Sequence, residues 1–164
     1  MQLQITQPVN SDQTATLSGW EFAIQHSFWN TGFGVILNYT IVNGDAKYDN
    51  SKPASVNPPQ FALTGLSDSA NAVLFYDKGP IQARVAYNWR DKFLDGSGPN
   101  PTYVEAHGQI DASASVEFMK GIQIFGEVIN LTGEGQRKHQ RSDSYVTYIM
   151  PGAARYAAGV RFTF

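Results

Sequence analysis

The stretch from Val104 to Phe118 constrains the fold more than any other. Glu105, His107, Gln109, Asp111, Ser113, Ser115 and Glu117 form a polar series at every second position. Between them run Val104, Ala106, Gly108, Ile110, Ala112, Ala114, Val116 and Phe118. Successive side chains of a strand point to opposite faces, so this is a strand with one wet and one dry side. At about 3.4 Å per residue, its polar face needs water along roughly 45 Å. A small filled core cannot supply that. A tilted strand that crosses a ~25 Å apolar band and lines a hydrated interior can.

The alternation recurs along the chain. Ile81, Ala83, Val85, Tyr87 and Trp89 oppose Gln82, Arg84, Asn88 and Arg90. Phe33, Val35, Leu37, Tyr39 and Ile41 oppose Gly34, Asn38 and Thr40, and Trp20, Phe22, Ile24 and Phe28 oppose Glu21, Gln25 and Ser27. At the end, Tyr156, Ala158, Val160, Phe162 and Phe164 oppose Arg155, Gly159, Arg161 and Thr163. Strands are read at 2–8, 15–28, 33–43, 70–77, 80–90, 103–118, 121–131 and 154–164. The runs at 70–77 and 121–131 alternate too unevenly to assign faces.

The connections alternate in length. Lys78-Gly79-Pro80, Met119-Lys120-Gly121 and 29–32 are short, whereas 44–69, 91–102 and 132–153 are long and rich in Gly, Pro, Asn, Asp and Ser. This implies an up-and-down meander with every long loop at one end, the plan of outer-membrane barrels. Phe28, Trp29, Phe33, Tyr76, Phe118, Phe162 and Phe164 gather near the short-turn end. Trp20, Tyr39, Trp89, Phe93, Tyr103 and Tyr156 gather near the other, as two interfacial girdles would. An aromatic-rich ordinary β-core is the alternative for this feature.

Composition excludes several classes. The 164 residues suit one domain. A net charge of −2 offers no basic surface to nucleic acid. The absence of cysteine removes disulfides, thiolate metal sites and cysteine nucleophiles. No apolar run approaches the ~20 residues of a spanning helix, but alternating strands escape that test. The start, MQLQITQPVN, has no cationic or long apolar segment of a secretory signal, so the chain reads as one that stays inside, or as a mature or truncated piece.

An ordered set of segments resembles the C-terminal part of TonB-dependent outer-membrane receptors. These are QPVN with LSGWEFAIQHSF, TGFGVILNYT, ALTGLSDSANAVLFYDKGPIQARVAYNWRDKFL, YVEAHGQIDASASVEF, GIQIFGEVINLTGE and RYAAGVRFTF. The resemblance spans nearly all of residues 1–164. It implies a barrel of about 22 strands plugged by an N-terminal domain, importing a scarce ligand with energy delivered by TonB. It also implies that Tyr156, Phe162 and the terminal Phe164 form a signal read by the barrel-assembly machinery. It matches Asp111 to an Asp usual in the family, with an expected structural hydrogen bond inside the barrel. These residues have room for about eight strands and show neither a plug nor a TonB box, so import by this chain alone is not expected.

Candidates for chemistry are few. His107, Asp111 and Ser113 share a face, but residues four apart on one strand are about 13–14 Å apart, too far for a catalytic triad. Glu105 and His107, with His26 or His139, lack a third ligand fixed by spacing. The lumen-facing candidates are Arg84, Arg90, Glu105, His107, Gln109, Asp111 and Arg161. Arg137, Lys138, His139 and Arg141 form the one charged cluster, read either as an outer loop meeting an anionic ligand or lipopolysaccharide phosphate, or as a solvated loop tip. The sequons at Asn38 and Asn130 fall within strands and are discounted.

The expected fold is therefore an all-β, antiparallel, up-and-down transmembrane β-barrel, with about eight strands present and a likeness to part of a larger barrel. The expected role is receptor and transport rather than catalysis, without cofactor or metal, in the outer membrane. Expected partners are lipid, the assembly machinery, TonB only through a plug, and further strands or copies. The alternatives are a stand-alone eight-stranded membrane barrel, a soluble lipocalin-type barrel and, distantly, an enzyme. A lipocalin would want large aliphatics inside, where half of the dry face of 104–118 is Ala and Gly.

Overall fold

The computed structural model describes residues 12–53 and 60–163. The strand expected at 2–8 and the terminal Phe164 lie outside the described residues. Those described form eleven strands and no helix.

Seven strands of eight to thirteen residues make one antiparallel sheet: β1 (Leu17–Ser27), β2 (Phe33–Gly44), β3 (Ser69–Lys78), β4 (Ile81–Arg90), β7 (His107–Met119), β8 (Ile122–Ile129) and β11 (Arg155–Phe162). Their order in space is their order in the chain. The short connections are forced by local chemistry. Lys78 pairs with Ile81 across Gly79-Pro80. Gly79 has φ 61°, and proline fixes the next φ near −65°, the sequence of a type II′ hairpin turn.

The register assigns every face, since cross-strand partners share one. The row Ile24–Leu37–Ala72–Tyr87–Ile110 and the row Ile81–Val116–Ile124–Val160 belong to a single apolar face that crosses the sheet. Opposite it runs a polar face: Glu21–Thr40–Ser69–Arg90–His107 near the long-loop end, and Gln82–Ser115 with Gln123–Arg161 near the short turns. This also settles the two unassigned runs. Ala70, Ala72, Leu74 and Tyr76 join the apolar face, as do Ile122, Ile124, Gly126 and Val128.

The burial pattern is that of a molecule turned inside out. Val73 is 3% exposed and lies on the polar face, while its neighbour Leu74 on the apolar face is 51% exposed. Ala86 and Val85 repeat the contrast at 6% and 48%. Trp20, Phe22, Tyr156 and Phe162 also stand open on the apolar side. An apolar patch that large is not compatible with water and needs hydrocarbon as its solvent. On the polar face, Phe75 folds over Gly34, where an added Cβ would sit 2.2 Å from the ring.

The long connections 91–102 and 132–153, expected as loops, carry regular structure instead. They contribute β5 (Phe93–Gly96), β9 (Gln136–His139), β10 (Val146–Met150) and the first residue of β6 (Thr102–Val104), whose Tyr103 and Val104 fall in the strand expected over 103–118. Their sheet order, β5-β6-β9-β10, repeats that of the wall strands β4-β7-β8-β11. The four are thus the same strands continued past a bend. The strand expected over 103–118 breaks at this bend: Glu105 and Ala106 lie between β6 and β7, so Glu105 is not on the polar face of β7. Phe93 and Tyr103, expected in a girdle, belong to the extension.

The sheet is not closed among the described residues. With seven antiparallel strands, β1 and β11 both run from the long-loop end towards the short turns. They are parallel to each other and cannot meet in an antiparallel barrel.

Candidate functional site

The polar face of the wall carries a connected set of side chains. Asn38, Asn71 and Asn88 are cross-strand partners on β2, β3 and β4. Asn38 Nδ2 donates to Asn71 Oδ1 (3.3 Å), and Asn71 Nδ2 donates to Asn88 Oδ1 (2.6 Å). Carboxamides have both donor and acceptor ends, so such a ladder stays neutral while offering both to whatever fills the space beside it. Nearer the short turns, Arg84 and Glu127 flank Ser113 in register. Gln123 donates to Ser115 Oγ (3.0 Å) and accepts from Arg161 (3.3 Å). These line a recess of about 450 Å³ with Phe75 and Phe125 at its sides.

Asp111 holds the end of β7 to the start of the next bend. Its Oδ1 accepts from Gln109 Nε2 (2.7 Å) and from the backbone N–H of Asn130 (2.8 Å). Asn130 takes φ 57° and is 9% exposed. Its amide clasps Glu134 from both sides, donating to the carbonyl (2.8 Å) and accepting from the N–H (2.9 Å). The word INLTGE is therefore the bend between β8 and β9, pinned to β7 by Asp111. Sequence reasoning placed Asn130 within a strand, whereas it lies in the bend after β8; the signal for its role was an Asn before Leu-Thr-Gly, a residue that tolerates the left-handed conformation.

The structure does not assemble the serine triad. Asp111 is engaged with Gln109 and Asn130, and His107 Nδ1 faces the Gly135 carbonyl at 3.3 Å. Nor do the metal candidates converge: Glu105 pairs with Arg137 (2.7 Å), His139 faces Asp143, and His26 sits beside Phe28 on β1's side of the sheet. Arg90 lies at the top of the wall. It donates to Ser67 Oγ (2.8 Å) and the Gly65 carbonyl (2.6 Å), and its guanidinium covers the Phe93 ring at 3.9 Å. Of the remaining candidates, Tyr156 and Phe162 stand on the open apolar face, 73% and 59% exposed.

The charged segment is built into the extension. Lys138 pairs with Asp95 (2.9 Å), joining β9 to β5. His139 is 2% exposed, stacked on Tyr103 at 5.3 Å, with Nε2 3.1 Å from Asp143. Arg141 donates to the carbonyls of Asn50 (2.6 Å), Pro99 (3.3 Å) and Lys52, and to Tyr48 Oη (3.4 Å). One guanidinium thus ties three connections together. Below it, Tyr48, Leu63, Lys92, Phe93 and Tyr103 border a second recess of about 350 Å³. Tyr48 carried no periodic signal and was not anticipated. Two loop carboxylates are held below the ordinary range. Asp45 is lowered by the backbone N–H of Thr16 (2.9 Å), and Asp49 by the hydroxyl of Ser51 (2.6 Å) and its N–H.

Comparison with known proteins agrees with this geometry. The family described as TonB dependent receptor-like, beta-barrel, matches residues 2–131, most of the chain and all of the described wall through β8. No curated protein and no solved structure matches the chain. A continuous apolar outer face, a hydrated inner face, short turns at one end and structured loops at the other now have a common account. The chain belongs to the TonB-dependent receptor-like β-barrel family, and its strands are wall from an outer-membrane receptor and transport barrel.

Proposed function

We propose that this chain forms part of the wall of a transporter for a scarce ligand, a siderophore, vitamin or carbohydrate, drawn inward by energy from TonB acting through a plug. The observation that carries this reading is the two-faced sheet: hydrocarbon-seeking side chains on one side, and an amide ladder with separate charges on the other. The polar face is where a plug and a passing ligand would lie. Arg84, Arg161, Gln109 and Asp111 are the lumen residues, and the recess beside Tyr48 and Tyr103 is the outer mouth.

The test is spin labelling in outer-membrane vesicles. A label at Val85 should relax with oxygen, which partitions into lipid, and a label at Arg84 with a water-soluble nickel chelate. The reverse pattern would refute the assignment of faces. The assembly signal formed by Tyr156, Phe162 and Phe164 rests on the family likeness. Deleting Phe164 should lower the yield of folded protein in the outer membrane more than the stability of what folds. A normal yield would remove the signal reading.

A further inference from the structure

Two rings on the polar face lie flat against the sheet. Phe75 of β3 is the cross-strand partner of Gly34 on β2, and Phe125 of β8 that of Gly159 on β11. A Cβ added to Gly34 would sit 2.2 Å from Phe75 Cζ and 2.7 Å from both Cε atoms, a point over the ring rather than beyond its edge. A Cβ added to Gly159 would meet the Phe125 ring at 2.6 and 2.8 Å in the same way. Glycine leaves the backbone bare enough for a ring to lie on it. Each ring thus has one face on a strand and the other turned to the interior, and both are half-buried.

Between the rings lies a polar floor. Phe75, Arg84, Ser113 and Glu127 form one cross-strand row, and Gln82, Ser115 and Phe125 form the next on that face. With strands about 4.8 Å apart, the three steps from β3 to β8 set the rings roughly 14 Å apart across the sheet. Arg84, Arg161, Asp77 and Glu127 border the recess between them, so its charges cancel. No ion pair among the described residues includes any of these four. A further hollow of about 270 Å³ continues from Arg84, Ser113 and Glu127 to Asn88 and Asp111.

This chemistry suits one class of ligand. A pyranose has a face of C–H bonds, which packs on the negative face of an aromatic ring, and a rim of hydroxyls, each both donor and acceptor. Arginine supplies donors, the carboxylates supply acceptors, and Gln and Ser supply both. An apolar ligand would strip water from four charges without pairing them. A ligand of one net charge would meet repulsive partners as closely as attractive ones. We propose that this trough is a binding subsite for a neutral oligosaccharide, with one sugar stacked on Phe75, another on Phe125, and the hydroxyls between them held by Arg84, Ser113, Ser115 and Gln82. The inference rests on the reading of the polar face as a transporter's interior, and it names the ligand class which that reading left open. A monosaccharide does not reach both rings, so affinity rises with chain length.

The test is equilibrium dialysis against outer-membrane vesicles carrying the protein, with vesicles lacking it as the blank. The probes are neutral oligosaccharides of glucose, mannose, galactose and N-acetylglucosamine, from monosaccharide to tetrasaccharide, and an oligogalacturonate as the charged counterpart. At least one neutral series should bind more tightly as it lengthens to the trisaccharide. F75L and F125L keep apolar cover over the glycines but present no ring face, and each should weaken that binding roughly tenfold. F75Y keeps the ring and should bind like wild type. Binding to no neutral series, tighter binding of the galacturonate, or leucine variants equal to wild type would overturn the proposal. So would an equal loss in F75L and F75Y, which would mark a packing role. A spin label at Arg84 separates the two readings. A label in water without glycan binding refutes the subsite alone, and a label in lipid refutes the interior as well.

Discussion

The wall and its extension are the same strands in two solvents, and they are held together by different forces. In the wall, large apolar side chains face outward, and polar contacts are neutral pairs such as Asn71–Asn88 and Gln123–Ser115 or join one charged group to a neutral amide, as Arg161–Gln123 and Gln109–Asp111 do. Every ion pair among the described residues lies in the extension or its bend: Lys92–Asp143, Arg137–Glu105, Lys138–Asp95 and His139–Asp143. Hydrocarbon penalises an unpaired charge and rewards an outward Leu, whereas water reverses both terms. The bend at Lys92, Glu105–Ala106, Asn130–Gly135 and Pro151–Ala154 marks where one solvent gives way to the other.

The largest effect should come from moving a charge across that boundary. V85R, in the middle of β4 on the apolar face, should cost roughly 2–4 kcal/mol near the bilayer midplane. T147R, on the exposed β10, should change stability by less than about 0.5 kcal/mol. Urea unfolding in lipid vesicles measures both. Equal costs would erase the distinction between wall and extension.

The joint between the two regions should respond next. D111A leaves Gln109 and the buried N–H of Asn130 without their acceptor, at about 1.5–3 kcal/mol. D111N retains an acceptor oxygen and should recover part of that. Exchange at the Asn130 amide, faster in D111A than in D111N, would localise the loss to the bend.

How much of this was legible in the sequence depended on where each strand's partners lie. β4 and β2 keep enough polar residues on one face, despite Ala86 and Ile36, to be read alone. β3 could not, because Val73 and Phe75 are apolar on the polar face. The register gives the reason: Ile36, Val73 and Ala86 form one apolar row there, and Phe75 covers Gly34. β8 hides in the same way, with Phe125 lying over Gly159. The strands of the extension span only three to five residues, too short for a period to show. The polar series through Glu105 misled for a related reason, since its alternation runs on while the backbone changes sheet. The charges of the Arg137–Arg141 segment were visible, but their pairing with Glu105, Asp95 and the Asn50 carbonyl is set by contacts tens of residues away.

A smaller effect is expected within the extension itself. R137A removes the ion pair to Glu105 and the bond to the Asp143 carbonyl (3.0 Å). The pair is partly exposed, so the loss should be about 0.2–1 kcal/mol and should shrink as salt rises. A cost equal to that of V85R would mean that charge pairs hold the extension as strongly as solvent holds the wall.

The smallest effect should appear in acid, and only at the long-loop end. The Asp45 carboxylate is lowered chiefly by the N–H of Thr16, and that of Asp49 chiefly by the Ser51 hydroxyl. A group whose folded pKa lies below its unfolded value stabilises the fold above the unfolded value, here 3.8 for both. That contribution is lost as pH falls through the folded pKa. Above pH ~5 both carboxylates are ionised in either state and the contribution is constant. Below pH ~4 the Thr16–Asp45 and Asp49–Ser51 bonds should weaken, while the neutral ladder Asn38–Asn71–Asn88 has nothing to titrate. Amide exchange between pH 6 and pH 3, corrected for its intrinsic pH dependence, should therefore show lost protection at Thr16 and Ser51 and none at Asn71. D45N should remove the change at Thr16 and leave that at Ser51. Lost protection spreading into β2 and β3 at the same pH would show that the wall depends on loop charges after all, and would break the division between the two regions.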